Sequence, residues 1–560
     1  MARRVGLLAL LITAACSSKS EVKTNGGSGS TQPATKPTFT IFALAEVRGQ
    51  IGPCGCTSDP LGDIARTAKL VDDTRAAGPT LVVDAGSLLY SKSPIPPHLE
   101  AQEELKADLL VRTYQKDLAV AATGLGPADL AAGPDKWRLP RQAANVSDGA
   151  PEAMIEQPKI VEAGGAKVGI FGVVAIDVVP KATDPVAAGK AAVAQLRKGG
   201  AQVIVGLVQA STRKDAARIT REIGGIDIAV AGLGIETPEP ERISIEPQKI
   251  GDAWLIVPAN RGQIISRVDV TVRDSGPLVD AVGTGAAAAK IESLEKQIAA
   301  LDEDLKKFAN DKAADPAFVK QKEDERKQLV EQKNKLARQP LLVPPKGSYF
   351  TLQQLRINKT LACSESVQSA VTAFYAAAGE ANTKAAANIP VPPPPKGQAR
   401  YVGTAACEDC HDEATKFWQK TVHAGAWKTL VDRGQQFDFD CIGCHVTGWN
   451  EKGGSNLAHN DTLRDVQCET CHGPGSIHVA KGGEEKPFAI ARAPVKEMCF
   501  DKCHTKEHSD TFQWDAYMRD IVGPGHGDDA RKKLGDGPTG GQLRKAALAK
   551  AGKFGPGCIR

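Results

Sequence analysis

The stretch CEDCHDEATKFWQKTVHAGAW, residues 407–427, places two cysteines and a histidine within five residues and a second histidine twelve positions after the first. The trio recurs as Cys441-Ile-Gly-Cys444-His445 and Cys468-Glu-Thr-Cys471-His472. A fourth copy, Cys499-Phe-Asp-Lys-Cys503-His504, carries one additional residue between its cysteines.

Two thiols at this spacing can add across the vinyl groups of a haem as thioethers. The histidine that follows at once can then swing beneath the iron as its axial ligand. Zinc sites also use paired cysteines, but they do not require a histidine directly after every second one. The sequence therefore predicts four covalent haems c. Cys407, Cys410, Cys441, Cys444, Cys468, Cys471, Cys499 and Cys503 are the attachment points, and His411, His445, His472 and His504 the proximal ligands. Each iron then needs a sixth ligand or an open face. Of the ten histidines, four sit in the motifs and His98 lies far upstream, which leaves His423, His459, His478, His508 and His526 within the cysteine-rich region. Ligation by two histidines gives a low-spin iron suited to electron transfer. His423, His478, His508 and His526 are the distal candidates, and His459 is the least favoured.

Outward from this region, the 560-residue chain is long enough for three or four domains. Its net charge of +4 is spread rather than clustered, which argues against a nucleic-acid partner. The start, MARRVGLLALLITAAC, joins two arginines, a short apolar core and small residues before Cys16. It reads as an export signal over 1–15, too short to span a bilayer, with Cys16 as a lipidated end. Residues 16–37 are a flexible polar tether. These features predict an exported bacterial protein, a periplasmic or outer-membrane lipoprotein held on the membrane by its lipid.

From residue 38 to 282, apolar strand-like runs such as TLVVDAG, KVGIFGVVAI and QVIVGLV alternate with helical stretches, which predicts a layered α/β domain. In residues 283–340, Ile291, Leu294, Ile298, Leu301, Leu305 and Phe308 step by three and four, a coiled-coil seam interrupted near Pro316. The pattern predicts an antiparallel helical hairpin. Residues 341–386 read as a strand and a helix returning to the first domain, and 387–398 as a proline-rich linker. The multihaem domain occupies 399–560.

Residues 400–510 resemble the tetrahaem cytochrome c family that accepts electrons from hydroxylamine oxidoreductase in nitrifying bacteria. The likeness rests on the opening stretch with Trp418 and His423, on DCIGCHVTGWNEKGG, and on VQCETCHGPGSIH. It implies a mostly helical domain with stacked haems, one of which keeps an open iron face. Residues 38–275 resemble the calcineurin-like phosphoesterases of the periplasmic 5'-nucleotidase type, through GDIARTAKLVDDTRAAGPTLVVDAG, GGAKVGIFGVVAID and PANRGQIISRVDVTV. That family holds two metals on loops at the strand ends. Here those loops read Glu46-Val47-Arg48, Ser87, Gly124-Leu125-Gly126, Gln209 and Gly232-Leu233-Gly234-Ile235. Leu125, Leu233 and Ile235 offer no donor atom, so the resemblance implies the fold without the dinuclear site.

Cys54 and Cys56 stand in the first of these loops. They form either a redox or metal-binding pair or, as the expectation favoured here, structural disulfides to Cys363 or Cys558. Taken together, the sequence predicts electron transfer to and from redox partner proteins, with a silent phosphoesterase-like scaffold. A haem-dependent oxidoreductase acting on a small nitrogen or sulfur compound is the alternative. A phosphohydrolase with an electron-transfer appendage is disfavoured by the missing ligands.

Overall fold

The structure is a computed structural model and describes residues 38–53, 55–133, 136–146, 154–281, 284–309, 316–338, 344–486 and 489–559. The expected signal, Cys16, the tether and Cys54 lie outside the described residues.

Two six-stranded sheets form the front of the chain. The first runs, edge to edge, Val279–Asp280, Tyr349–Arg356, Ile264–Thr271, Phe39–Leu44, Thr80–Asp84 and Ala122–Thr123. The second runs Gln248–Ile250, Ala253–Ile256, Ile228–Leu233, Val203–Ala210, Ala166–Val174 and Lys159–Ala163. Strand alternation sends successive side chains to opposite faces. Phe39, Ile41 and Ala43 thus face inward against Val168, Ile170, Val203 and Val205 of the second sheet. Phe42 and Leu44 face outward, beneath helices α1 (Ile64–Ala77) and α2 (Glu100–Lys116). On the far side, Ile204 and Val208 meet α3 (Pro185–Lys198) and α4 (Arg213–Ile223). The result is a four-layer α/β/β/α sandwich, in agreement with the layered α/β expectation.

The helix starts have local causes. The Asp63 carboxylate accepts from the amide of Ala65 at 2.8 Å, Asp184 from that of Val186 at 2.9 Å, and Thr212 from that of Asp215 at 3.2 Å. Each satisfies an amide that the first helical turn leaves without a partner.

Helices α5 (Thr284–Ala309) and α6 (Pro316–Arg338) lie side by side. Their contacts pair in reverse order, Glu295 with Lys333, Asp302 with Arg326 and Phe308 with Phe318, so the two helices run antiparallel. The strand Tyr349–Arg356 then pairs antiparallel with Ile264–Thr271, and α7 (Glu365–Ala386) packs against α1 and α2. Beyond residue 399, the described residues form short helices and turns with isolated bridges such as Val446 to Arg464. Among the described residues, no helix is long and apolar enough to cross a membrane.

One expectation is corrected. Cys363 and Cys558 are bonded to each other, across 195 residues of sequence, and Cys56 is a free thiol. The tail returns past Leu361 to the start of α7, and Gly555 lies so close to the Leu361 carbonyl that a Cβ there would fall 1.9 Å from its oxygen. That backbone route delivers Cys558 to Cys363, where no Cys56 sulfur competes.

Closing so long a loop restricts the unfolded chain strongly. Replacing both Cys363 and Cys558 with Ala should cost about 2–4 kcal/mol and lower the Tm relative to the oxidised parent. Equal melting of the two proteins would show that the bridge does not clasp the tail.

Candidate functional site

Each cysteine–histidine trio occupies a single helical turn. In the first, the His411 amide donates to the Cys407 carbonyl at 2.9 Å. In the second, the turn follows the helix Phe439–Ile442, and the His445 amide donates to the Ile442 carbonyl at 2.9 Å. The third trio is itself the helix Cys468–His472. In the fourth, the His504 amide reaches the Cys499 carbonyl at 2.8 Å, a bond spanning five residues rather than four. The extra residue is taken up as a local widening of the helix, and the histidine still returns to its first cysteine.

The imidazoles are oriented by their inner nitrogens. Nδ1 of His445 meets the Ala426 carbonyl at 2.5 Å, Nδ1 of His472 the Ala491 carbonyl at 2.7 Å, and Nδ1 of His504 the Ser509 hydroxyl at 3.0 Å. A ring whose Nδ1 is tied to oxygen presents Nε2 outward, which is how ligating histidines are set. Burial, and then the neighbouring charge of His423, push His504 down to about 4. Its lone pair is therefore free at neutral pH, as metal binding needs.

The structure brings two distal candidates opposite proximal ones. His478 lies with its ring centroid 6.4 Å from that of His411, and its Nδ1 meets the Glu485 carboxylate at 2.6 Å. His423 lies 6.3 Å from His504. The Trp418 indole donates to the Val466 carbonyl at 2.9 Å, and the Val466 amide donates to the His423 carbonyl at 3.2 Å, which holds this turn in place. Two imidazoles on opposite sides of one metal, each nitrogen about 2 Å from it, have ring centroids about 6 Å apart. The donor set and spacing thus fit haem iron. His526 packs edge-on to Phe417, and the charges of His472 and His411 reach it. The structure does not bring His508 opposite a proximal ring: its Nδ1 meets the Thr505 hydroxyl at 2.8 Å. His459 is exposed. Among the described residues, no second histidine ring stacks against His445.

The sulfurs order the four turns. Cys407 lies close to Cys468, and Cys444 to Cys503, while Cys471 lies within electrostatic reach of Cys499. The turns therefore follow each other in space as first, third, fourth, second.

In the front domain, the residues standing where metal ligands would be expected meet at one point. The Arg48 guanidinium donates to Glu46 at 2.8 Å and to the Gly234 carbonyl at 2.9 Å, and Gln209 donates to Glu46 at 2.7 Å. Among the described residues, no group of three or more histidine, cysteine, aspartate or glutamate side chains could hold a metal ion. A guanidinium here pairs with the buried Glu46 carboxyl, and the donor set does not fit a metal pair.

The loop that follows docks on the haem-motif region. Arg544 donates to the Cys56 carbonyl at 2.6 Å, and the Ser58 amide to Asp510 at 3.0 Å. Gly55, at φ +77°, lies where a Cβ would fall 1.8 Å from the Glu507 carbonyl oxygen. Cys56 is an exposed free thiol within electrostatic reach of Cys444 and Cys441 in the second motif.

Sequence reasoning missed a buried polar cluster between α2 and the second motif. Gln102 donates to Asp438 at 2.8 Å, Asn382 of α7 donates to Gln102 at 2.8 Å, and the Lys106 ammonium pairs with Asp440 and with Glu103. Two aspartates just before Cys441 were the legible signal; their partners, more than 300 residues upstream, were not.

Residues 406–473 match the family described as cytochrome c554 and c-prime. Cytochrome c-554 of Nitrosomonas europaea is 34% identical in a region covering 14% of this chain and 40% of that protein, so the chain spans less than half of that relative's length. The front domain is similar to the 5'-nucleotidase precursor of Thermus thermophilus, at 20% identity and a TM-score of 0.37, over 43% of this chain and 52% of that one. It is also similar to the NAD nucleotidase of Haemophilus influenzae, at 15% identity and a TM-score of 0.35, over 43% and 48%. A third likeness is to a calcineurin-like phosphoesterase of Bacillus subtilis, at 17% identity and a TM-score of 0.33, over 42% and 85%.

Burial pushes the Glu46 carboxyl up to about 7, against the opposing pull of Arg48 and Gln209. Between about pH 4.5 and 7 the folded chain therefore holds a proton that the unfolded chain has released. Stability should fall as pH rises through that window, by on the order of 3 kcal/mol. In Glu46→Gln this part of the slope should vanish. An unchanged pH dependence of the denaturant midpoint would mean that Glu46 stays ionised throughout.

Proposed function

We propose that the chain is an exported c-type cytochrome that carries electrons through four covalently held haems. Cys407 with Cys410, Cys441 with Cys444, Cys468 with Cys471 and Cys499 with Cys503 would hold them, with His411, His445, His472 and His504 as proximal ligands. The observation that carries this reading is the pairing of His411 with His478 and of His423 with His504, at 6.4 and 6.3 Å. His478 and His423 are then distal ligands of the first and fourth haems, and His526 the candidate for the third. This scheme needs neither His508 nor His459. When bound, haem c supplies a one-electron carrier. The protein's part is to hold the imidazoles neutral and aimed, to wall the site with Phe417, Trp418 and Trp427, and to pass charge to redox partner proteins.

The front domain is read as a catalytically silent scaffold, because Arg48 and Gln209 fill the place of metal ligands. Export and a lipid anchor at Cys16 complete the proposal and place the protein in the periplasm or on the outer membrane. A second reading, an oxidoreductase working at an open haem, is favoured at one position only. His445 has no histidine ring against it among the described residues, and Cys56 comes near its motif.

Intact mass should exceed that of the processed polypeptide by about four haems. His423→Ala should convert one low-spin iron to another coordination while haem content stays constant. A mass fitting three haems would remove the fourth motif, and an EPR spectrum identical to the parent would remove His423 as a ligand. Incubation with manganese and a nucleotide should yield no phosphate; chelator-sensitive turnover would contradict the silent scaffold.

A further inference from the structure

The buried cluster between α2 and the second motif has no part in attaching or ligating a haem. It nonetheless touches the attachment point. The Asp438 carboxylate, 7% exposed, caps the helix Phe439–Ile442 through the Asp440 amide at 3.0 Å and accepts from the Cys441 sulfur at 3.5 Å. It also accepts from Gln102, and the backbone amide of Phe439 donates to the same Gln102 at 3.2 Å. Lys106, 5% exposed, brings an ammonium to Asp440 and Glu103. Burial alone would drive that ammonium towards its neutral form. The carboxylates of Asp440, Glu103 and Asp438 outweigh this and hold it charged. The ammonium and the carboxylates of Glu103 and Asp438 are thus shielded from water, where charges act over longer distances than at a surface, while Asp440 pairs with Lys106 from the exposed side.

We propose that Lys106 and Asp438 set the reduction potential of the haem held at Cys441 and Cys444, so that a helix of the α/β domain positions the charge that tunes one haem of the other region. This inference rests on the tetrahaem reading above. Reduction adds one negative charge at the iron. A buried cation nearby favours it and a buried anion opposes it. Neither residue touches the iron or its ligands, so both are positioning residues. Asp438 acts by its charge beside the Cys441 attachment point, whose sulfur has no proton left to donate once the thioether forms, and Lys106 acts through the aspartates that it pairs with.

The test is a potentiometric titration of the full-length holoprotein, followed optically and by EPR. The component belonging to the second motif is identified as the one altered in His445→Met. Asp438→Asn keeps the shape and the bond to the Asp440 amide and should raise the midpoint potential of that component. Lys106→Gln should lower it, and Lys106→Arg should restore the parent value, whereas a purely structural role would shift all components or none. If Lys106→Gln does not fold, Asp438→Asn still decides the sign. Midpoints unchanged in folded Asp438→Asn overturn the proposal while leaving the haem reading intact. Absence of haem on the peptide containing Cys441 and Cys444, read by mass, overturns both.

Discussion

A single helical turn must hold two thiols and an imidazole on one side, and everything else in the C-terminal region follows from that constraint. The backbone bond from His411 to Cys407, and its longer counterpart from His504 to Cys499, meet it in two ways. An α-helical turn accommodates the shorter spacing without strain. The fourth motif widens by one residue, and the histidine still finds the carbonyl of its first cysteine. Once the turns are made, the inner ring nitrogens find backbone or hydroxyl oxygens, and the outer nitrogens are left for a ligand.

At the strand ends of the front domain, a buried carboxylate is paired with an arginine. Buried carboxylates need a counter-charge. Glu46 obtains one from Arg48, whose guanidinium also caps the Gly234 carbonyl. The sandwich itself does not depend on these loops. Its three apolar layers are built by strand alternation and would close equally well around other loop chemistry. The loop that follows packs on the C-terminal region, with Gly55 pressed against Glu507 and Ser58 bonded to Asp510.

The two regions are therefore joined by chemistry as well as by the linker. Arg544 holds the Cys56 carbonyl, Lys106 meets Asp440, and Cys558 is bonded to Cys363. Buried charge pairs add little net stability but strongly disfavour wrong arrangements, since a lone buried charge is costly. Lys106 can be buried only where carboxylates await it. The register between α2 and the second haem motif is accordingly well determined.

Local spacing made much of this legible in the chain alone. The cysteine–histidine trios, the layered α/β pattern and the apolar side chains at Leu125, Leu233 and Ile235 all depend on residues adjacent in sequence or on periodicity. Short-range geometry controls both. What the sequence could not reveal were pairings between distant residues of ordinary type. Cys363 chose Cys558 over Cys56 because the tail's backbone path past Leu361 brings their sulfurs together, and no spacing rule encodes that path. His423 and His478 were legible as candidates, but which proximal ring each faces depends on how four turns pack. Lys106 looked like any helical lysine until Asp440, hundreds of residues away, was seen to pair with it at the edge of its buried site; desolvation and charge act through space, and only the tertiary structure decides which groups meet there.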